Sequence, residues 1–295
     1  MGKNSKKNRS QKKTDKRSAT PFSDALRVGD GFVLADLDTR ATPEFAGDKQ
    51  AGREALASAD EEMDHLQEQL YAHGRTGGQE RILLVIQGLD TAGKGGIMRH
   101  VVGSVDPQGI EITAFKSPTK EELAHPFLWR VRRALPGAGM IGVFDRSHYE
   151  DVLIVRVDEL VPKATWSRRY GTINKFEQEL ADDDVTVIKV MLHISKDEQA
   201  ERLGERLDNP EKYWKYNPGD IDTRERWDDY MEAYQAIMDK TSTESAPWFV
   251  VPADRKWYAR LAVQRILLEH LRALNLEWPP ADFDIEQEKA RLAAS

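Results

Sequence analysis

Residues 82–96 read ILLVIQGLDTAGKGG, and in them an apolar run typical of a β-strand leads directly into a glycine-rich turn. The turn from Gly88 to Lys94 has the spacing G-x-x-x-x-G-K of a Walker A motif. In that motif backbone N–H groups surround a phosphate and the lysine neutralises its charge. The segment from Ile97 to Val102 is compatible with a helix, whose N-terminus adds the positive end of its dipole. The stretch therefore predicts a strand, a phosphate-binding loop and a helix.

Gly95 stands where this motif usually has Ser or Thr, whose hydroxyl binds magnesium. The metal must then be held elsewhere, and Asp90 inside the loop is the nearest hard oxygen ligand. Glycine-rich turns between a strand and a helix also occur without a ligand. Here the strand, the lysine and the helix are in register, which favours phosphate binding.

Composition is that of a protein with a large core. The 295 residues can form one or two domains, and 40% of them are hydrophobic. The absence of cysteine excludes disulfides, thiolate zinc sites and a cysteine nucleophile. No apolar run approaches the roughly 20 residues that span a bilayer, and the N-terminus lacks the apolar core of a signal peptide. We therefore expect a cytoplasmic protein with no membrane partner.

The net charge of −7 is unevenly distributed along the chain. Residues 1–17 carry eight Lys and Arg against one Asp, a net of +7, so the remaining residues sum to −14. The polar, basic composition of this tail predicts disorder. It has two interpretations: a loose contact with a polyanion such as RNA or polyphosphate, or a solubilising extension. Blocks of like charge are usually solvated, which favours the second.

The order of elements predicts an α/β fold. Runs typical of strands occur at 82–87, 110–115, 140–144, 185–194 and 248–251. Segments compatible with helices lie at 51–71, 120–134, 171–181 and 196–206. Alternating strands and helices favour right-handed crossovers and a parallel sheet covered on both faces. We expect a P-loop kinase-like three-layer sandwich with a five-stranded parallel sheet and a helical lid.

Four segments follow from this order. They are a disordered basic tail (1–20), an N-terminal arm and helix (21–80), a P-loop phosphotransferase domain (81–275) with a lid at about 200–231, and a C-terminal tail or helix (276–295).

A second phosphate-chemistry signal follows the third strand. Asp145 ends the apolar run, and phosphate-loop enzymes hold magnesium with a carboxylate at the tip of a buried strand. Arg146 follows directly and can bind phosphate oxygens in a bidentate manner. An Asp at this place is also a common helix cap, as is Ser147. His148 is more typical of a hydrogen-bonded structural residue than of a base.

The third signal is a basic stretch in an otherwise acidic body. Residues 196–231 contain aromatic residues among the cations and are interrupted by Asn209-Pro210 and Asn217-Pro218-Gly219. Helices joined by such a hinge favour a mobile lid that brings cations onto a transferring phosphoryl group. The alternative is a solvated helix pair with salt bridges. The cations proposed for the lid are Arg202, Arg206, Lys212, Lys215 and Arg224.

Four motifs together resemble the second family of polyphosphate kinases, over about residues 55–275. They are GLDTAGKGG (88–96), FKSPT (115–119), FDRSHYEDV (144–152) and the stretch from Lys212 to Tyr234. The resemblance implies reversible, magnesium-dependent transfer between inorganic polyphosphate and a nucleoside mono- or diphosphate. Mn²⁺ is expected to substitute for Mg²⁺. The acceptors are purine nucleotides, AMP or ADP with GDP as a further candidate, and a homodimer or homotetramer is implied.

The residues assigned to the site follow from the motifs and the resemblance. The catalytic core is Asp90, Lys94, Asp145 and Arg146, and the lid cations hold polyphosphate. Nucleotide and phosphate contacts are assigned to Gly88, Ala92, Gly93, Gly95, Gly96, Lys116 and Tyr149. The metal ligands are assigned to Asp90, Asp145 and Glu150.

Three other functions share some of these features. An ATP-dependent nucleoside or nucleotide kinase of the thymidylate-kinase type has the same loop, Asp-Arg pair and lid. A GTPase-like switch normally has Ser or Thr at position 95. A nucleic-acid binder explains the basic tail but not Asp145 at a strand tip, so no specific nucleic acid is expected.

Overall fold

The computed structural model describes residues 20–295, so the basic tail predicted over residues 1–17 lies outside the described residues. The strands are β1 (Arg81–Gln87), β2 (Ile110–Ala114), β3 (Ile141–Asp145), β4 (Val185–His193) and β5 (Trp248–Pro252). The α-helices of the described part are α1 (Phe22–Leu26), α2 (Lys49–Ala57), α3 (Asp60–Arg75), α4 (Lys94–His100), α5 (Lys120–Leu123), α6 (Trp129–Arg133), α7 (Ile154–Val157), α8 (Lys163–Ala181), α9 (Lys196–Asp208), α10 (Gly219–Glu225), α11 (Trp227–Thr241), α12 (Lys256–Ala273) and α13 (Ile285–Ala293). Short 3₁₀ helices lie at Leu34–Asp36, Val102–Ser104, Pro107–Gly109, His148–Asp151 and Pro210–Lys215.

The five strands form one parallel sheet in the order β2-β3-β1-β4-β5. The predicted five-stranded parallel sheet is confirmed, and each strand lies within one residue of its predicted bounds. β1 is buried from Ile82 to Gln87, as expected for a central strand with helices on both faces. Against this sheet, α12 packs with α1 to α4, and α8 packs with α7 and α11.

The strand order places the functional loops together. β1 lies between β3 and β4. β2 and β3 therefore lie on one side of β1, and β4 and β5 lie on the other, so the strand order reverses at β1. Such a switch point opens a crevice beyond the carboxyl ends of the strands, where ligands bind in open α/β sheets. The register pairs Ile86 with Asp145, which brings the end of β3 beside the start of the loop after β1.

Two predicted helices are each divided in the structure. The helix expected over 51–71 is α2 and α3. At the break, the amide of Gln264 on α12 donates to Leu56 O (3.1 Å) and to Asp60 Oδ1 (2.8 Å). The helix expected over 120–134 is α5 and α6. Pro126 lies between them, and proline lacks the N–H that a continuous helix needs.

The lid is more divided than expected. Residues 200–231 comprise most of α9, the 3₁₀ helix Pro210–Lys215, α10 and the start of α11. The α8 helix begins at Lys163, eight residues before the predicted start at 171. Among residues 20–295, no helix is both long enough and apolar enough to cross a membrane.

Candidate active site

The loop after β1 has the backbone conformation that its glycines predict. Gly88 has φ +149° and Gly93 has φ +115°, values that side chains disfavour. A Cβ atom on Gly88 would also lie 2.8 Å from Leu192 O, so no larger residue fits there. Thr91 has φ +67°, an unusual value for a β-branched residue.

The start of α4 presents free donors to a phosphate. The N–H groups of Gly93, Lys94 and Gly95 have no acceptor within the part of the chain that the structure describes. Such N–H groups carry the positive end of the helix dipole. Lys94 Nζ donates to Gly88 O at 2.7 Å, which folds the side chain back over the loop. Burial lowers the pKa of Lys94, and the charge of Asp90 opposes this shift.

Asp90 and Arg146 form an ion pair across the crevice. Arg146 Nη2 donates to Asp90 Oδ1 at 2.8 Å, and both side chains are partly exposed. Arg146 adopts φ +61°, and its N–H donates to Ile86 O at 3.1 Å, so the chain turns sharply after β3. Burial alone lowers the pKa of Arg146, but Glu150 and Asp90 outweigh it and raise that pKa. The pair joins the loop after β1 to the loop after β3.

Asp145 supplies the carboxylate expected at the tip of β3. Its Oδ1 atom is buried and has no hydrogen-bond partner among residues 20–295. A buried oxygen without a donor is costly unless a ligand satisfies it, and carboxylate oxygens suit a hard cation. Burial raises the pKa of nearby Glu150, while Arg146 and Lys94 oppose this shift.

The described residues contain no ready-made group of three Asp, Glu or His side chains that could hold a metal ion. Magnesium is commonly bound by one or two carboxylates together with waters and substrate phosphates. The donors near the loop, with Asp145 foremost, fit this kind of site.

Tyr149 is placed differently from its predicted role. Its side chain is fully buried, and its hydroxyl donates to Glu177 Oε1 at 2.8 Å and accepts from Lys189 Nζ at 2.9 Å. The assignment of Tyr149 as a phosphate contact is therefore corrected, because the ring points into the core. His148 is also fully buried and lies 3.2 Å from Glu177, which agrees with its interpretation as a structural residue.

Arg202 also requires a correction. Its side chain is only 4% exposed, and its guanidinium donates to carbonyl oxygens of the phosphate loop and of the segment after β5. The structure thus places Arg202 inside the protein, away from the surface predicted for polyphosphate.

The other lid cations are more accessible, although most are paired. Arg206 contacts Asp220 Oδ2 (3.1 Å) and Lys215 O (2.8 Å). Lys212 lies 3.4 Å from Glu205. Arg224 donates to Lys196 O and Gln199 Oε1, while Lys215 is exposed and lies over the Trp214 ring.

The remaining predicted contacts lie at the same edge of the sheet. Lys116 is exposed in the loop after β2. Ala114, the last residue of β2, pairs with Asp145. Gly95 is exposed, and a Cβ atom there would meet nothing within 4 Å. Gly96 lies beside Arg260, and Ala92 is buried beneath the loop.

Two buried tyrosines of α11 that the sequence interpretation missed lie near enough to the carboxylates of the site for these charges to affect their pKa values. Burial raises the pKa of Tyr230 to about 12, with contributions from Asp158, Glu150 and Asp90. Burial also raises the pKa of Tyr234, again with Glu150 contributing. Their spacing of four residues on one helix face is the signal that could have revealed them.

Fold and site together define an α/β protein with a phosphate-binding loop at the switch point of a parallel sheet. The family model described as Polyphosphate kinase 2 matches residues 46–278. The chain therefore belongs to the polyphosphate kinase 2 family, which confirms the resemblance noted in its motifs.

Relatives agree with this membership. The AMP/ADP-polyphosphate phosphotransferase of Meiothermus ruber is 48% identical over 248 residues, 84% of this chain and 91% of the relative. The ADP-polyphosphate phosphotransferase of Rhodopseudomonas palustris is 42% identical over 268 residues, 86% of this chain and 91% of the relative. The crystal structure of Polyphosphate Kinase 2 from Arthrobacter aurescens TC1 superimposes with a TM-score of 0.92 at 54% identity, covering 94% of this chain and 98% of that chain.

Proposed function

We propose that this protein reversibly transfers a phosphoryl group between inorganic polyphosphate and a purine nucleotide. AMP and ADP are the acceptors, giving ADP and ATP, with GDP as a further acceptor. The observation that carries the proposal is the convergence of Lys94, the Asp90–Arg146 pair and the unpartnered Asp145 oxygen at one edge of the sheet. The two relatives are named as an AMP/ADP-polyphosphate and an ADP-polyphosphate phosphotransferase, and these names support the proposal.

The chain's own groups provide positioning and charge neutralisation. The free N–H groups at the start of α4 and the ammonium of Lys94 hold the terminal phosphate of the nucleotide. Arg146 can exchange its carboxylate partner for phosphate oxygens, because its guanidinium is only partly buried. A nucleotide phosphate is already largely ionised at neutral pH, so in-line attack needs neither a strong base nor a covalent enzyme intermediate.

Asp145 is the residue that would hold Mg²⁺, with Asp90 or Glu150 assisting. When bound, the ion neutralises the charge that develops on the phosphoryl oxygens. The ligands are carboxylates, so Mn²⁺ should substitute for Mg²⁺.

The lid holds the polyphosphate chain through the cations that face outwards. Lys212 and Lys215 are accessible as they stand. Arg206 and Arg224 become available when they release Asp220 and Gln199, as phosphate oxygens can replace those acceptors.

The place and assembly of the enzyme belong to the same proposal. A cytoplasmic location suits an enzyme of free nucleotides whose chain has no cysteine. A homodimer or homotetramer is proposed from the family resemblance.

A donor comparison tests the function. The purified protein is incubated with Mg²⁺ and long-chain polyphosphate, with AMP or ADP in separate reactions, and the nucleotide products are resolved. Parallel reactions replace polyphosphate by ATP, with thymidine monophosphate or a nucleoside as the acceptor. The Lys94→Ala variant is the control for contaminating activity.

We expect polyphosphate to support product formation and Lys94→Ala to abolish it. Removing this ammonium costs several kcal/mol of barrier, while losing its hydrogen bonds to Gly88 O and Leu89 O costs only about 1 kcal/mol of stability each. Activity with ATP alone would support the thymidylate-kinase type of function instead. A Lys94→Ala rate above about a tenth of the wild-type rate would contradict the assignment of the loop.

A further inference from the structure

The guanidinium of Arg202 uses every one of its N–H groups inside the protein. An arginine side chain has five N–H donors in a rigid planar arrangement, and burial without partners is costly. The acceptors are Glu198 Oε1 (2.7 Å), Thr91 O (2.9 Å), Ala92 O (3.1 Å), Ala253 O (2.7 Å) and Asp254 O (3.0 Å). One side chain therefore connects α9, the phosphate loop and the segment after β5.

Side chains of α9 bind three consecutive carbonyl groups of the loop. Arg202 holds those of Thr91 and Ala92, and Gln199 Nε2 lies 3.4 Å from Asp90 O. In a trans peptide the C=O and the following N–H point in opposite directions. Holding the Ala92 carbonyl on the α9 side therefore turns the N–H of Gly93 away from α9, and this N–H is one of the free donors of the loop.

Thr91 explains why the loop needs such a contact. Its φ of +67° is strained for a β-branched residue, and strained backbone persists only where its surroundings impose it. The hydroxyl of Thr91 is buried and has no partner among the described residues, so its own side chain does not hold this conformation. Within the loop, the N–H of Ala92 donates to Leu89 O at 3.1 Å, and from outside the loop Arg202 donates to Thr91 O at 2.9 Å.

We propose that Arg202 is a positioning residue that holds Thr91 in its left-handed conformation and so keeps the phosphate loop ready for the nucleotide. Its role is thus to orient the loop, and polyphosphate is bound by other lid cations. The kinetic part of this inference rests on the proposed function.

The two roles predict different kinetics. A misplaced loop holds the transferring phosphate in the wrong position, so loss of Arg202 should lower kcat and leave the polyphosphate KM largely unchanged. Loss of a polyphosphate ligand should instead raise that KM and flatten its dependence on salt.

The test uses Arg202→Lys in three backgrounds: wild type, Thr91→Gly and Thr91→Ala. Lysine keeps the charge but cannot bind carbonyls on two sides. Glycine accepts a positive φ without strain, whereas alanine removes the hydroxyl but keeps the strain. We expect Arg202→Lys to lower kcat by up to about 100-fold, Thr91→Gly to restore much of it, and Thr91→Ala to restore none.

Amide hydrogen exchange gives a readout that does not depend on activity. We expect Arg202→Lys to speed exchange in residues 88–95 while distant peptides in β4 keep their protection. If Arg202→Lys fails to fold, Glu198→Ala, which removes only the partner of Nε, should produce a smaller change of the same kind.

Two results would overturn the proposal. One is a higher polyphosphate KM with an unchanged kcat. The other is an equal defect of Arg202→Lys in the Thr91→Gly and wild-type backgrounds. A wild-type protein that fails to transfer from polyphosphate would count against the proposed function, while the exchange experiment would still decide the role of Arg202.

Discussion

Lys189 and Glu177 form an ion pair that is completely buried, with 2.6 Å between Nζ and Oε2. Lys189 also donates to Thr241 O at 2.6 Å and to the hydroxyl of Tyr149. Burial alone raises the pKa of Glu177, but Lys189 and His148 outweigh it and lower that pKa. Burial lowers the pKa of Lys189, and Glu177 opposes that shift. The pair and the hydrogen bonds of Lys189 anchor the segment after Asp145 to β4, α8 and the end of α11.

Breaking this pair should destabilise the protein strongly. We expect Lys189→Met to lower the free energy of unfolding by about 3–5 kcal/mol, because it leaves a buried carboxylate without its cation. Urea denaturation measures the loss. The double variant Lys189→Met with Glu177→Leu should lose less than the sum of the two single variants, and strict additivity would contradict a direct coupling.

The dependence of the rate on Mg²⁺ should change when Asp145 is replaced and should not change when Gly95 is replaced. We expect Asp145→Asn to raise the Mg²⁺ concentration needed for half-maximal rate or to remove activity. Gly95→Ser should leave it nearly unchanged, because a side chain there meets open space. Rates measured against Mg²⁺ for both variants decide the matter. A marked change in the Gly95 variant alone would mean that the metal is misplaced.

Polyphosphate affinity should depend steeply on salt. A chain of phosphates displaces many counterions, whereas a nucleotide held by directional N–H groups displaces few. We expect neutralising Lys212 and Lys215 together to raise the polyphosphate KM, flatten its salt dependence and affect ADP little. Neutralising Lys175 on α8 and Lys289 on α13, both exposed, is the control with the same charge change.

Removing the basic tail should matter less than this lid change. Deleting residues 1–17 removes cations that can attract the polymer but cannot position its terminal phosphate. A larger effect of the deletion on KM would assign polyphosphate capture to the tail.

The stability of the protein should fall on mild acidification because of His193. Burial lowers the pKa of this buried residue from 6.5 to about 4, with Asp254 opposing the shift. Between pH 6.5 and about pH 4, His193 is therefore mostly protonated in the unfolded chain and mostly neutral in the folded chain. The stabilisation is complete above the unfolded pKa and is lost as the pH falls from about 6.5 through about 4.

Comparison with His193→Gln isolates this contribution. Between about pH 7.5 and about pH 5, the wild type should lose about 2 kcal/mol more of its unfolding free energy than the variant. Denaturant unfolding at several pH values measures both. Parallel pH profiles for the two proteins would contradict the assignment.

Features of local spacing could be predicted from the sequence alone. The five strands, the glycine turn from Gly88 to Gly93 and the carboxylate at the end of β3 each depend on residues close together in the chain. Helix breaks were harder to predict, because the carbonyl of Leu56 beside the break finds a partner in Gln264, about two hundred residues away in the chain. Lys189 within the apolar β4 is a sequence signal of a buried partner, because a buried charge needs an opposite charge beside it.

The sequence by itself determined that a strand, a phosphate loop and a helix follow one another, because glycine spacing and apolar runs act through neighbouring backbone. Only the tertiary structure decided where Tyr149 and Arg202 point. Tyr149 turns inward to Glu177, 28 residues further on, and Arg202 turns to Thr91, 111 residues earlier. A polar side chain is buried only where such distant partners satisfy its hydrogen bonds, and their arrival depends on the packing of α8 and α9 against the sheet.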